Sequence, residues 1–192
     1  MALGFYFDMT RCIGCRACQV ACKDKNNVNV GVILRNAKTN EVGTFPKVKV
    51  YSYSASCNHC TNAACVENCP TKAMYKAEDG TVLHDPALCL GSACRVCAAV
   101  CPYGVPQLNP ETDKTVKCDA CAYLRAKGQN PACVDACPDR ALDFGDLDEL
   151  KAKYGADLVS ALPVCPDGGT GANILIKAKE CAKAEMGKEI PL

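Results

Sequence analysis

Tryptophan is absent from this 192-residue chain, and aromatic residues of all kinds make up only 6% of it. A conventional aromatic core is therefore thin, and something other than side chains must fill part of the interior. Neither sign of charge is in excess: 22 Lys and Arg stand against 21 Asp and Glu, a net charge of +1. That balance excludes the broad basic surface by which nucleic acids or anionic membranes are usually held. No run of about 18 apolar residues occurs, so the chain is not expected to span a membrane by itself. No basic segment followed by an apolar run opens the sequence, so no secretory signal peptide is expected. Also missing are a nucleophile–base pair, a Gly-rich phosphate loop and a flavin or nicotinamide fingerprint. Nothing in the sequence asks a side chain to make or break covalent bonds.

What is abundant is cysteine, with 18 in a length that suits one large domain or two small ones. Sixteen fall into four runs. The first is Cys12, Cys15, Cys18 and Cys22; the second is Cys57, Cys60, Cys65 and Cys69. The third is Cys89, Cys94, Cys97 and Cys101; the fourth is Cys118, Cys121, Cys133 and Cys137. Three residues always separate the last two cysteines of a run, and Pro70, Pro102 and Pro138 follow three of the runs, with Lys23 in that place in the first. This is the bacterial ferredoxin grammar C-x2-C-x2-C-x3-C-P, with insertions confined to the leading spacings, where a loop absorbs them. A short helix carrying the last two cysteines at i and i+4 would set both thiols on one face.

A disulfide scaffold is the first rival, disfavoured by the absent signal and the fixed spacing. Structural zinc is the second, since paired C-x2-C groups a dozen or more residues apart would suit it, but only the fourth run has that form. Four [4Fe–4S] clusters, each held by four thiolates, use all sixteen cysteines. In two-cluster ferredoxins the last cysteine of a run ligates the other cluster, which implies crossed pairs of runs; the spacing does not say which. Cys165 and Cys181 stand outside the runs and are expected to be free thiols.

Between the runs the pattern predicts short strands at GFYFDM, KVKVYSYS, GTVLHD, RALDFG and NILIK (173–177) and a hairpin in QLNPETDKTVKC with 109–113 in its turn. DLDELKAKYG predicts a helix with Asp146 as N-cap, Glu149 three residues on and Gly155 past its end. A lysine-rich helix is expected over 178–186, and the VNVGVILRNAKTNEVGTFP segment reads as an insertion of no legible role. His59 reads as a loop residue beside Cys57 and Cys60 rather than a ligand or proton sensor. Arg16, Lys23, Arg95 and Lys117 adjoin ligand positions and read as solvated charges of little effect.

The motifs SASCNHCTNAACVENCPTKAM, VCPYGVPQLN, KCDAC and ACVDACPDRALDFGDLDELKAKYG resemble the iron–sulfur, or beta, subunit of the dimethyl sulfoxide reductase family of molybdopterin oxidoreductases. The likeness runs from DMTRCIGCRACQVACKD to NILIK, nearly the whole chain, and CPYG-x-P and CPxRALDFG lie outside what cluster ligation alone demands. It implies an α+β fold of tandem ferredoxin-like modules, two units of two [4Fe–4S] clusters, with short strands, short helices and many loops. It also implies that run one pairs with run four and run two with run three. Cys12, Cys15, Cys18 and Cys137 would then hold cluster 1, and Cys118, Cys121, Cys133 and Cys22 cluster 2. Cys57, Cys60, Cys65 and Cys101 would hold cluster 3, and Cys89, Cys94, Cys97 and Cys69 cluster 4.

One module would be residues 1–56 plus 103–160 (runs one and four), the inserted one 57–102 (runs two and three), and 161–192 an extension toward a partner. The implied role is non-catalytic: single electrons would pass between a donor, either a quinol-handling membrane anchor or a soluble carrier, and a large molybdopterin catalytic subunit of a reductase or dehydroxylase. The alternative is a free multi-cluster ferredoxin. The implied location is peripheral to the cytoplasmic membrane, on the outer face by co-export with a twin-arginine-signalled partner, with the cytoplasm as the alternative. Two departures stand out: four residues, LGSA, separate Cys89 from Cys94 where the family has two, and residues 24–47 are shorter and different.

Overall fold

The apolar LGFYFD segment, Leu3–Asp8, forms strand β1 and is buried along almost its whole length. The computed structural model describes residues 2–191. After β1 come helix α1 (Ala17–Lys25), strands β2 (Asn36–Val42) and β3 (Lys49–Ala55), and helix α2 (Ala64–Glu67). Strands β4 (Met74–Lys76) and β5 (Val82–His84), helix α3 (Val96–Val100), and strands β6 (Gln107–Asn109) and β7 (Lys114–Val116) follow. The chain ends through α4 (Ala122–Arg125), α5 (Ala132–Asp135), β8 (Leu142–Asp146), α6 (Leu147–Tyr154), β9 (Ile174–Lys177), α7 (Glu180–Ala184) and β10 (Lys188–Glu189). Short strands and helices joined by many loops make an α+β fold.

Strand β1 lies at the centre of a three-stranded sheet, antiparallel to β8 and parallel to β9. The strand before run one is thus tied to the strand after run four. The antiparallel pair β4–β5 repeats this plan, joining the strand after run two to the strand before run three. The helices obey the same pairing: α1 packs against α5, and α2 against α3. The predicted hairpin is β6–β7, with Asn109↔Lys114 closing its turn. The predicted N-cap is present too, since Asp146 Oδ1 accepts from the backbone N–H of Asp148 at 2.9 Å and of Glu149 at 3.3 Å. The expected 178–186 helix shortens to Glu180–Ala184.

The segment without a legible role holds β2, whose polar residues pair along their length with β3. NAKTNEV has little intrinsic strand preference, so the pairing partner decides its conformation. Strand β10 adds to its other edge. The C-terminal stretch 161–191 therefore folds back on the body of the protein and supplies one strand to each three-stranded sheet. Among the described residues no helix is long and apolar enough to cross a membrane.

Phe5, Phe7, Met9, Leu142, Ile174 and Ile176 build the main core, and several of the cysteines are part of it. On the other face of β1, Tyr6 stacks on Tyr154 with ring centroids 3.7 Å apart. A part-buried ion pair joins the inserted segment to run four: Arg125 meets Asp79 at 2.7 Å, while the guanidinium carbon lies 5.2 Å from the Phe144 ring centroid. Burial opposes ionisation of Asp79, but hydrogen bonds from Thr81 and Arg125 outweigh it and hold its pKa down to about 2. Asp79→Asn is expected to lower the thermal midpoint of the loaded protein at neutral pH by about 2–4 °C, as the loss of about 1 kcal/mol does in a domain of this size. Calorimetry at a fixed scan rate checks this; an unchanged midpoint would show that the pair does not tie the two segments.

Candidate cluster sites

The cysteine loops are built on backbone that most residues avoid. Arg16, His59, Arg95, Ala120 and Cys121, each within a run, adopt positive φ between 45° and 62°. So do Lys72, Gly104 and Arg140, each three residues beyond the last cysteine of its run. Left-handed non-glycine residues carry strain and persist only where their surroundings fix them. Here the left-handed turns curl the chain so that N–H groups point inward at sulfur. The Ala141 N–H donates to Cys137 Sγ at 3.2 Å, and Met74, Gly91 and Ala120 donate to Cys69, Cys89 and Cys118 at 3.4 Å. Thr170 Oγ1 donates to Cys60 Sγ at 3.2 Å, reaching across from the C-terminal stretch. Such bonds favour the thiolate, the form that binds metal.

Cys12, Cys15, Cys18 and Cys137 line one small cavity. Cys69, Cys89, Cys94 and Cys97 line a second. In each, three thiols come from one run and the fourth from the end of another. The remaining eight gather in the same crossed way. Burial pushes Cys22 up to about 11 against the pull of Arg35, and the charges of Cys133 and Cys121 add to the push. Burial and the charges of Cys57, Cys101 and Cys60 push Cys65 up to about 12, while Lys117 opposes them. Cys118 is raised by burial and by the charges of Cys57 and Cys22, so the gathering round Cys22 adjoins the one round Cys57. The two cysteines of α1 have different neighbours: Cys18 lines the cavity shared with Cys137, while Cys22 lies near Cys133 and Cys121.

The thiols surround cavities rather than close on a point, and among the described residues no three His, Cys, Asp or Glu groups converge as round a single ion. A cube of iron and sulfide, with an iron at each ligated corner, needs that wider stance. Four thiols, inward N–H donors and small neighbours such as Ala73 and Ala141 fit such a group.

Lys117 departs from its expected solvation. It is buried, and its ammonium donates to the carbonyls of Val82 and Cys118. Its charge acts on Cys65. Arg95 is exposed as expected, Arg16 is half-buried, and half-buried Lys23 donates to the carbonyls of Asn29 and Val32. His59 is a buried joint: its Nδ1 accepts the Val82 N–H at 3.0 Å, and burial with the nearby charge of Lys117 holds the ring neutral. Cys165 is a buried free thiol beside Tyr53 and Asn58, and Cys181 is half-buried and free.

The long Cys89–Cys94 spacing is taken up by one 3-10 turn, Gly91–Ala93. Asp113 in the β6–β7 turn holds it, accepting the Ser92 N–H at 3.1 Å, while Lys114 Nζ donates to the Cys89 carbonyl at 2.7 Å. Gly91 has φ +61°, and a Cβ there would collide with the Asp113 carbonyl oxygen. The insertion is thus a fastened turn, not a slack loop.

Two profiles, each described as a 4Fe-4S dicluster domain, match residues 48–147 and residues 11–73. The protein is 42% identical over 190 residues to the B subunit of the anaerobic dimethyl sulfoxide reductase of Haemophilus influenzae, covering 94% of its own length and 91% of the relative. It is 34% identical to the arsenate respiratory reductase iron-sulfur subunit ArrB of a Shewanella strain, over 91% of its own length and 95% of the relative. It is 47% identical to the thiosulfate reductase electron transfer subunit PhsB of Salmonella typhi, over 74% of each. The chain belongs to the iron–sulfur subunits of the dimethyl sulfoxide reductase family. It is a non-catalytic, electron-transfer subunit that carries [4Fe–4S] clusters.

For this subunit Gly91→Ala is expected to break the Asp113 contact and cost the cavity of Cys89 its group. Iron per chain should fall by about four, one cubane's worth, with the remaining spectrum unchanged. Iron and acid-labile sulfide analysis checks this; wild-type iron in the variant would show that the loop relaxes at no cost.

Proposed function

We propose that this subunit relays single electrons through four [4Fe–4S] clusters to or from a large molybdopterin catalytic subunit, the other terminus being a quinol-handling membrane anchor or a soluble carrier. The observation that carries the reading is the crossed gathering of the sixteen thiols into four sets. It supports Cys12, Cys15, Cys18 and Cys137 for cluster 1, Cys118, Cys121, Cys133 and Cys22 for cluster 2, Cys57, Cys60, Cys65 and Cys101 for cluster 3, and Cys89, Cys94, Cys97 and Cys69 for cluster 4. Helices α1 with α5 and α2 with α3 support a module of residues 1–56 plus 103–160 and an inserted one of 57–102.

The sets form a row. Cys18 and Cys22 on α1 link clusters 1 and 2, the charge coupling of Cys118 to Cys57 links 2 and 3, and Cys65 with Cys69 at the end of α2 links 3 and 4. When bound, the clusters supply one-electron redox chemistry. The chain's own residues hold and space them, exclude water from them and tune them through N–H donors and buried charge. Exposed apolar side chains stand at both ends of the row: Ile13, at 68% exposure, lines the Cys15 cavity, and Leu88 and Leu90, at 50% and 52%, flank Cys89. Two ends with apolar surface suit two partners, as a subunit peripheral to the cytoplasmic membrane requires, and 161–192 is proposed to add to the partner contact.

The test is elemental analysis of the complex purified anaerobically from its host. About 16 irons per chain with matching sulfide, and one molybdenum on a large co-purifying subunit, are expected. Full iron with no large partner would instead make this a free multi-cluster ferredoxin, and zinc in place of iron would end the cluster reading. The pairing has its own check. Cys12→Ala and Cys137→Ala should each remove one cluster's signal, and the double variant no more than one, whereas Cys133→Ala with Cys137→Ala should remove two. Loss of two clusters from the first double variant would refute the crossed assignment.

A further inference from the structure

Arg35 lies just before β2, in the segment that no cysteine motif explains, and is 2% exposed. A buried guanidinium is costly unless negative charge or hydrogen bonds compensate it. No carboxylate pairs with it among the described residues. One terminal nitrogen donates to the Ser54 carbonyl and to Ser54 Oγ, both at 3.1 Å, and the other to Ser56 Oγ at 2.8 Å. The Phe5 ring lies under the guanidinium carbon, 4.5 Å from its centroid, while Nε has no protein partner. The negative charge it faces is sulfur. Burial works against its protonated form, but the nearby charges of Cys133, Cys118, Cys18 and Cys22 overcome that.

The serine gives this cation a second reach. Ser54 Oγ lies 3.4 Å from Cys18 Sγ. Arginine only donates, so it occupies an acceptor position of that hydroxyl and leaves the hydroxyl hydrogen free for the sulfur. A ligand sulfur that accepts a hydrogen bond gives up electron density to it, and a fixed positive charge favours the form of the cluster carrying one more electron.

We infer that Arg35 is the shared counter-charge of clusters 1 and 2, acting through space on the sulfurs of Cys133, Cys118 and Cys22 and on Cys18 through the Ser54 hydroxyl, and that it raises both reduction potentials. The inference rests on the four-cluster reading and adds to it a residue that ligates nothing. Lysine could not do the same work: a compact ammonium lacks the planar fork that spans Ser54 and Ser56 while facing two sites at once.

The experiment is a redox titration of the intact complex followed by electron paramagnetic resonance, for the wild type, Arg35→Gln, Arg35→Lys and Ser54→Ala, with iron counted in each. Arg35→Gln with full iron should shift the reduction equilibrium of two clusters about tenfold toward the oxidised form, or about 59 mV for one electron, and leave the other two in place. Arg35→Lys should fall between it and the wild type. Ser54→Ala should move one cluster only, in the same direction. Four unmoved potentials in Arg35→Gln with full iron would overturn the inference. If that variant fails to assemble, Ser54→Ala decides: one lowered potential supports the relay, and four unmoved potentials overturn it. Wild-type iron well below about 16 would instead overturn the four-cluster reading itself.

Discussion

Thiolates gathered in a low-dielectric interior repel one another and lose their hydration, and the architecture of this chain is arranged around that cost. Its signature is the upward push on Cys22, Cys65, Cys118 and Cys133, in each of which burial is the largest cause. A protein made only of such groups would expel them. Iron reverses the balance, since a metal takes each sulfur as thiolate and returns more binding energy than the gathering costs; metal loading and folding are then one process. The thin aromatic core follows from the same fact. Cys18, Cys57, Cys118, Cys133 and Cys137 occupy core positions, so the clusters stand where large side chains would otherwise pack.

The same repulsion explains the donors around sulfur. Cys69 is half of one such arrangement: burial raises its pKa, yet hydrogen bonds from the Met74 backbone and from Thr71 bring it below the ordinary thiol value. The corresponding Ala141 N–H serves Cys137 after run four. Both donors follow a Cys-Pro pair and a left-handed residue, Lys72 or Arg140. Proline therefore has a local purpose in this grammar. It has no N–H of its own and its ring fixes φ, which helps stop the short helix at the cysteine and starts the turn that brings a later N–H back to the sulfur.

Much of this was legible from the residues. The four runs, the strands flanking them, the β6–β7 hairpin and the Asp146-capped helix all lie where spacing and pattern put them, because each is decided within a few residues of itself. What stayed hidden was decided at a distance. β2 is a strand because β3 pairs with it, not because NAKTNEV prefers to be one. Lys117 is adjacent to Cys118 in the chain, and reading it as solvated failed because the carbonyls that receive it include Val82 from the inserted segment. Arg35 adjoins no motif at all, and only the folded chain brings it among Cys18, Cys22, Cys118 and Cys133. The Cys89–Cys94 insertion was visible as an anomaly, but its fastening by Asp113 required the hairpin to be in place.

Two buried cations among the described residues, in a chain of near-zero net charge, are then informative by their positions. Lys117 acts near Cys65, at the inserted pair of sites, and Arg35 lies between the two gatherings of runs one and four. Each is built into the fold through hydrogen bonds to the chain, so its charge is fixed and poorly screened by salt. A row of clusters with like ligands would have nearly equal intrinsic potentials, and an electron arriving on one would raise the energy of the next by simple repulsion. Fixed cations placed unequally along the row break that equivalence. The thiol ligands determine that clusters can bind; along the proposed row, the buried cations would bias where an added electron rests, and they come from residues that no cysteine spacing reveals.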